Sequence, residues 1–464
     1  MVNLINLKQI ASLLTLSSIL ATTNAIFLDT NNDTNINEVT ALIAKGLMDY
    51  YEGYKYGGTI GMFTWPYYWW EAGGAWGALL HYTYYTGDQT YVPTIMEALL
   101  YQTGDHNNYI PLNQSTTEGN DDQGFWGLAV MSAAEMNFTN PQDPDKAWLT
   151  LTQAVFNTMA ARWDSSCNGG LRWQIFQWNS GYDYKNSVSN GCFFQIGARL
   201  ARYTGNTSYV DWAEKIWEWM EEADLIYEYP GNEYWFIYDG VDADNCSNIT
   251  KYQWTYNQGL FLAGCAFLWN FTQEEIWRNR TLHLLKGVEV FVADVYNGSK
   301  VLYEAACQPL NSSITPRCSQ DQRSFKGYLS RFLGYTSLML PETADFIRPI
   351  IVDSANAAAG SCSGGIDGHT CGLAWTAGGW DGFYGLGEQM TALEVMTTLK
   401  VHEKKAPYTS TTGGSSLGNP AAGFDQGNYD TSPLSLTSAD KAGAGIITAI
   451  ISLSVIGCGV WLML

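Results

Sequence analysis

Two aspartates stand side by side in the segment Glu118-Gly119-Asn120-Asp121-Asp122-Gln123-Gly124-Phe125-Trp126-Gly127, where a glycine-containing loop runs into a stretch with helical spacing. One reading is local: an Asp at a helix N-cap or in its first turn is stabilised by free backbone N–H groups and the helix dipole. A single Asp suffices for that. Two adjacent carboxyls also supply what cleavage of a glycosidic acetal requires, one to protonate the leaving oxygen and the other to attack the anomeric carbon or activate water. Neighbouring residues reach the separation of about 5 to 5.5 Å used by retaining enzymes more readily than the wider inverting gap. A helix N-terminus favours ionised carboxylates, which opposes the raised pKa of an acid. Mutual repulsion resolves the conflict, because ionisation of one Asp holds the proton on the other and the two titrate as a unit.

The elements that must position this pair are helical. Gly77-Ala78-Leu79-Leu80 leads to Tyr85-Thr86-Gly87-Asp88, and Gly197-Ala198-Arg199-Leu200 leads to Tyr203-Thr204-Gly205-Asn206; a looser copy starts at Gly259. Each unit reads as a helix stopped by Gly, then a polar turn capping a second helix. Apolar periodicity predicts twelve helices of two alternating kinds. One set is rich in Gly, Ala and aromatics: about Trp69 to Tyr85, Asp122 to Met136, Ser187 to Tyr203, Tyr252 to Trp269, Gln322 to Met339 and Gly382 to Thr398. The other is amphipathic: about Ile36 to Tyr51, Tyr91 to Gln102, Pro144 to Trp163, Ser208 to Glu222, Glu274 to Val292 and Glu342 to Ala359. Small residues suit the first set to an inner ring and charged faces suit the second to solvent, which predicts an all-α (α/α)6 toroid; an open helical solenoid is the alternative.

The Asp121-Asp122 pair, Tyr184-Lys185-Asn186-Ser187-Val188-Ser189-Asn190-Gly191, Thr255-Tyr256-Asn257-Gln258-Gly259, and Trp380-Asp381-Gly382 leading to Gly385-Leu386-Gly387-Glu388-Gln389-Met390 together resemble glycoside hydrolase family 76, a family of α-1,6-mannanases. The layout of the two chain ends resembles its fungal cell-wall branch, mannan endo-1,6-α-mannosidases that serve wall construction. The resemblance implies Asp121 as nucleophile, Asp122 as acid/base, and sugar subsites lined by the Asn186 to Asn190 loop and by Tyr256, Asn257 and Gln258. Trp380 and Asp381, from the same motif set, are expected among the substrate-binding residues as well. Asn and Gln amides both donate to and accept from sugar hydroxyls, although they also cap the helices they precede. Trp126, one turn into the helix of the pair, offers either a stacking platform or core packing.

The ends speak to location. Residues 1–25 have one Lys, an apolar segment and a small-residue stop, the pattern of a secretory signal peptide. Residues 26–405 read as one catalytic domain and residues 406–440 as a Ser/Thr/Gly-rich stalk containing an anchor-attachment region. Residues 441–464 read as a hydrophobic GPI signal that is removed, leaving the chain on the outer leaflet through a glycolipid. Sequons at Asn32, Asn113, Asn137, Asn206, Asn245, Asn248, Asn270, Asn279, Asn297 and Asn311 imply a glycosylated surface. Eight cysteines precede the final segment, an even number suited to an oxidising compartment, with Cys192 and Cys265 in apolar stretches where a buried thiol also fits.

A net charge of −21 argues against nucleic acid, and 19 Trp with 29 Tyr suit a glycan cleft as well as a wide core. The five histidines lack ligand spacing, so the expectation includes neither metal nor cofactor. Tyr238-Asp239-Gly240-Val241-Asp242-Ala243-Asp244-Asn245 reads as a solvated acidic loop, since it lacks EF-hand spacing. Three functions fit these features. The first is retaining endo-hydrolysis of α-1,6-mannan in wall biogenesis. The second is transglycosylation of GPI-anchor glycans or the glycoproteins carrying them onto a β-glucan acceptor, and the third is non-catalytic mannan binding.

Overall fold

A computed structural model describes residues 25–114, 117–231, 234–295, 298–310, 317–424 and 438–463. Twelve helices alternate as expected: α1 Asp33–Met48, α2 Trp69–Thr86, α3 Val92–Tyr101, α4 Asn120–Glu135, α5 Trp148–Ala161, α6 Ser187–Thr204, α7 Ser208–Glu222, α8 Thr255–Thr272, α9 Glu275–Gly287, α10 Phe325–Met339, α11 Ala344–Ser361 and α12 Leu386–Thr398. The even-numbered helices pack in sequence, α2 on α4, α4 on α6, α6 on α8, α8 on α10 and α10 on α12, and α12 closes the circle on α2. That closure makes the (α/α)6 toroid and excludes the open solenoid. The inner helices are buried on nearly all faces; from Gln123 to Glu135 every residue of α4 is buried. An outer helix buries one stripe, as in α1 with Ile36, Val39, Thr40, Ile43, Ala44 and Leu47. Gly87 and Gly205 end α2 and α6 with φ of 81° and 76°, the left-handed conformation that a helix stop requires.

The structure adds strands that the helical reading missed. β1 Tyr184–Asn186, β2 Ile226–Glu228, β3 Trp235–Asp242 and β4 Ile249–Gln253 form an antiparallel sheet in which β1 and β2 share one edge of β3 and β4 takes the other. β5 Val292–Asp294 and β6 Lys300–Leu302 form a hairpin. The α-helix expected from Glu274 to Val292 stops at Gly287 and tightens into a 3-10 turn over Val288–Phe291, which buries Val288 and Phe291 before β5 begins at Val292. The expected acidic loop at Tyr238 to Asn245 is instead mostly β3, with only the turn after Asp242 exposed.

Disulfides join Cys167 to Cys246, Cys307 to Cys318 and Cys362 to Cys371, while Cys192 and Cys265 are buried thiols. The segment expected to begin a stalk at residue 406 is part of the fold as far as 424. Tyr408 N–H donates to Glu135 O at 2.8 Å, Ser410 N–H to Tyr203 O at 2.9 Å, and Asn157 Nδ2 to Pro420 O and Ala422 O at 3.0 and 2.7 Å. Six sequon asparagines, Asn32, Asn113, Asn206, Asn245, Asn248 and Asn279, are exposed. Two are not free in the same way: Asn137 Nδ2 donates to Gly413 O at 2.8 Å, and Asn270 Nδ2 to Met339 O at 3.2 Å. Asn297, Asn311, most of the expected signal peptide and residues 425–437 lie outside the described residues. Residues 427–464 form a separate unit whose helix, α13 Ser438–Met463, contains a span, Lys441–Gly459, long and apolar enough to cross a membrane.

Candidate active site

The N-terminal ends of the inner helices and the loops that feed them enclose a cleft of about 510 Å3. Asp121, Asp122 and Phe125 of α4 form part of its floor with Trp69 and Trp70 of α2, Tyr256 of α8 and Phe325 of α10. The aromatic floor is tightly packed: Trp70 meets Phe125 at 4.6 Å between ring centroids, and Tyr256 stacks on Phe325 at 3.8 Å.

Capping and chemistry coexist at the pair. Gly119 is the N-cap of α4, and its N–H donates to Asp122 Oδ2 at 2.6 Å, the reciprocal half of a capping box. Asp121 Oδ1 accepts the Asp122 N–H at 3.0 Å, and Asp121 Oδ2 accepts Asn186 Nδ2 at 3.2 Å. A Cβ on Gly119 would collide with Asp121 Oδ1 and stand 3.2 Å from Asp122 Oδ2. Both carboxyls thus converge on one point that only glycine leaves open, within the roughly 5 to 5.5 Å reach of a retaining pair rather than the roughly 6.5 to 9.5 Å of an inverting one. Burial, and then the Asp122 charge, push Asp121 well above the usual carboxylate range. Burial, with a contribution from Asp321, pushes Asp122 up to about 7. Near neutral pH the pair therefore shares a proton.

Three further carboxyls line the cleft: Glu118, Asp239 and Asp321. Among the described lining residues there is no Lys, Arg or His. Glu118 is buried with neither carboxyl oxygen hydrogen-bonded, and burial followed by repulsion from Asp122 holds it well above its ordinary pKa. Asp239 accepts from Trp254 Nε1 at 2.8 Å and from the Tyr184 hydroxyl at 2.5 Å, and Asp321 accepts from Trp70 Nε1 at 3.0 Å. These three escaped the sequence reading. The signal available for Asp239 was the unbroken run of aromatic and β-branched residues Trp235-Phe236-Ile237-Tyr238, which marks a strand rather than a loop.

Of the other expected sugar contacts, Tyr256 lines the cleft and Asn186 reaches Asp121. The remainder build the walls instead. Trp126 is fully buried, sandwiched between Trp69 and Tyr109 at 5.1 and 5.4 Å, so it is core and not a platform. Asn190 spends its amide on Leu171 N and O and on Asn186 O, pinning the loop that leads to Trp173. Gln258 bonds Ile237 N, Trp235 O and Leu284 O, tying β3 to α9 and so holding Asp239 two residues on. Asn257 is fully buried away from the cleft lining. Asp381 caps the N–H groups of Leu373, Ala374 and Phe383, and Trp380, partly exposed, donates to Phe383 O; neither lines the cleft. The aromatics that do face the opening are Tyr68 and Trp173.

With this geometry in view, the family is plain: residues 35–411 match Glycosyl hydrolase family 76, and the chain belongs to that family. It is 67% identical over 445 residues to the Mannan endo-1,6-alpha-mannosidase DCW1 of Candida albicans, covering 95% of this chain and 96% of that one. It is 58% identical to the DCW1 protein of Saccharomyces cerevisiae, covering 95% and 96%. Among solved structures, Dfg5 from Chaetomium thermophilum in complex with glucosamine superposes with a TM-score of 0.79 at 39% identity, covering 86% of this chain and 97% of that one. An inactive variant of the α-1,6-mannanase GH76A of Salegentibacter sp. HEL1_6, in complex with α-1,6-mannotriose, shares the fold at a TM-score of 0.61 and 18% identity, covering 79% and 99%.

Proposed function

We propose that the chain cleaves internal α-1,6-mannosyl linkages with retention of configuration, Asp121 acting as nucleophile and Asp122 as acid/base. The observation that carries this reading is the convergence of the two carboxyls above Gly119. The charge on Asp122 holds the shared proton on Asp121 in the free protein, so the reaction draws on the arrangement in which that proton has passed to Asp122, which the N–H groups donated to both Asp121 oxygens favour. Asp122 gives that proton to the glycosidic oxygen as Asp121 attacks the anomeric carbon and the leaving chain departs. Asp122, now ionised, then takes a proton from the acceptor hydroxyl, which attacks the same carbon and frees Asp121. Glu118, held protonated by burial, offers a sugar hydroxyl both a donor and an acceptor. The names of the 67% and 58% identical relatives support the linkage. Hydrolysis of an α-1,6-mannotetraose followed by NMR tests it: the α-anomer is expected to appear first, and first release of the β-anomer would overturn retention.

A specific observation favours the transglycosylase reading as the natural reaction. The five cleft carboxyls, unaccompanied by lining cations, suit a positively charged sugar, and the 39% identical relative binds glucosamine. An amino sugar next to mannose describes the glycan of a GPI anchor, with β-glucan as acceptor in place of water. Incubation of a mannosyl-glucosamine donor with β-glucan is expected to yield a covalent adduct; release of free sugar alone would count against transfer. The same reading puts the protein on the external membrane face through a GPI anchor, which the apolar span Lys441–Gly459 supports, with glycans on its exposed sequons.

A further inference from the structure

We propose that the outward face of the β2–β3–β4 sheet is a second glycan-binding site, which holds a polysaccharide chain against stacked tyrosine rings beside the cleft. An antiparallel sheet packed on one side ordinarily presents polar residues on the other. Here the inward side carries Ile226 and Ile237, both buried. The outward positions of β2, β3 and the turn between them are Tyr227, Tyr229, Tyr234, Phe236 and Tyr238, which with Gln253 and Glu289 line a groove of about 500 Å3. The rings are ordered among themselves: Tyr227 stacks on Tyr238 at 5.4 Å, and Tyr234 lies within 9° of parallel to Phe236 at 6.4 Å. Tyr227 and Tyr229 are nonetheless 36% and 48% exposed. A contiguous exposed aromatic face on a charged, soluble surface marks a binding site rather than unused core.

The chemistry of the lining favours a sugar over a protein partner. Four of the five rings carry a hydroxyl, the Gln253 amide and Glu289 carboxylate supply further donors and acceptors, and Val290 is the sole aliphatic residue among the described lining. Continuity with the cleft names the occupant. Asp239 and Trp254 line the cleft, and their immediate neighbours Tyr238 and Gln253 line the groove, so one strand pair separates the two. A pyranoside chain leaving the cleft past the middle of β3 and the end of β4 passes onto the tyrosine face. The occupant is therefore a further stretch of the mannan that the cleft takes, whose apolar pyranose faces and hydroxyl edges match the rings and the polar lining.

The choice of probes rests on the proposed glycosidase reading, but the binding measurement does not require turnover. The full chain carrying Tyr227→Ala and Tyr229→Ala is compared with wild type for equilibrium retention on polymeric α-1,6-mannan and on β-1,3-glucan particles, and for turnover of α-1,6-mannotetraose. Loss of two stacking rings is expected to weaken retention on α-1,6-mannan about tenfold and to leave retention on the glucan unchanged. Turnover of the tetraose is expected to stay unchanged, and Tyr227→Phe with Tyr229→Phe is expected to restore retention. Weakening on glucan alone would overturn the assignment to mannan. Wild-type retention on both polymers would overturn the proposal and leave the face to a protein partner, as would an equal loss of tetraose turnover. A chain inactive on every substrate but still showing tyrosine-dependent retention would sink the catalytic reading and keep the groove.

Discussion

The inner ring neutralises the acidic side chains deep inside it and those at its mouth differently. Deep in the ring, Glu135 meets Arg199 at 2.7 Å, with Ser132 Oγ and Leu128 O as further partners of the guanidinium, and Glu394 pairs with Arg331. At the mouth, Glu118, Asp121, Asp122, Asp239 and Asp321 share one cleft in which no described lining residue is basic. Glu118 is as buried as Glu135 and Glu394, and the four aspartates of the cleft are half-buried, but the counter-charge deep in the ring is a fixed guanidinium, whereas at the mouth it is a proton. A guanidinium stays where the fold puts it. A proton can be handed to a leaving oxygen and taken back, so the second region trades stability for chemistry.

The comparison can be broken at either end. Asp121→Asn removes the mobile side, and turnover of an α-1,6-mannooligosaccharide should fall at least about a thousandfold. Its melting temperature should hold or rise, because a buried like charge is gone. Arg199→Met removes the fixed side and strands Glu135 in the core, which should cost about 3 to 5 kcal/mol in denaturant unfolding while the folded fraction keeps its specific activity. Gly119→Ala drives a methyl group into Asp121 Oδ1 without touching the core; a loss of about a hundredfold in kcat with an unchanged far-UV spectrum is expected. The pH profile gives the finest test. In the proposed mechanism one carboxyl is ionised and the other protonated, so activity should rise as the first proton leaves the pair near pH 7 and fall where the second leaves at the higher step. The Asp321 charge helps to raise the first step, so Asp321→Asn should move the acid limb to lower pH. A limb that stays in place would separate Asp321 from the shared proton.

The helices and the aspartate pair were legible because their signals are local. Spaced apolar residues, the glycine stops at Gly87 and Gly205, and two carboxyls at a helix start can all be read within a few turns of chain. The rest of the cleft was not legible because it is assembled from different loops. Asp321 precedes α10, Asp239 sits in a strand of the inserted sheet, and no periodicity connects either to α4. Residue type misled where one side chain serves two tasks equally well. Asn190, Gln258 and Asp381 suit sugar hydroxyls, yet the backbone of a cleft wall offers the same donors and acceptors, and those are what they bind. Trp126 fits a platform by type, but its position one turn below the floor places it between two other rings.

Residues 407–424 meet the ring first where α4 and α6 end, at Glu135 and Tyr203, then follow α5 from Leu149 to Asn157. Just beyond α5, Arg162 reaches back to Asn120 at the start of α4, beside the aspartate pair. The chain is thus carried from the closed floor of the ring up its flank toward the mouth. Residue 424 therefore leaves the ring a few turns of helix from the cleft, and not at the end where residues 408 and 410 first meet it.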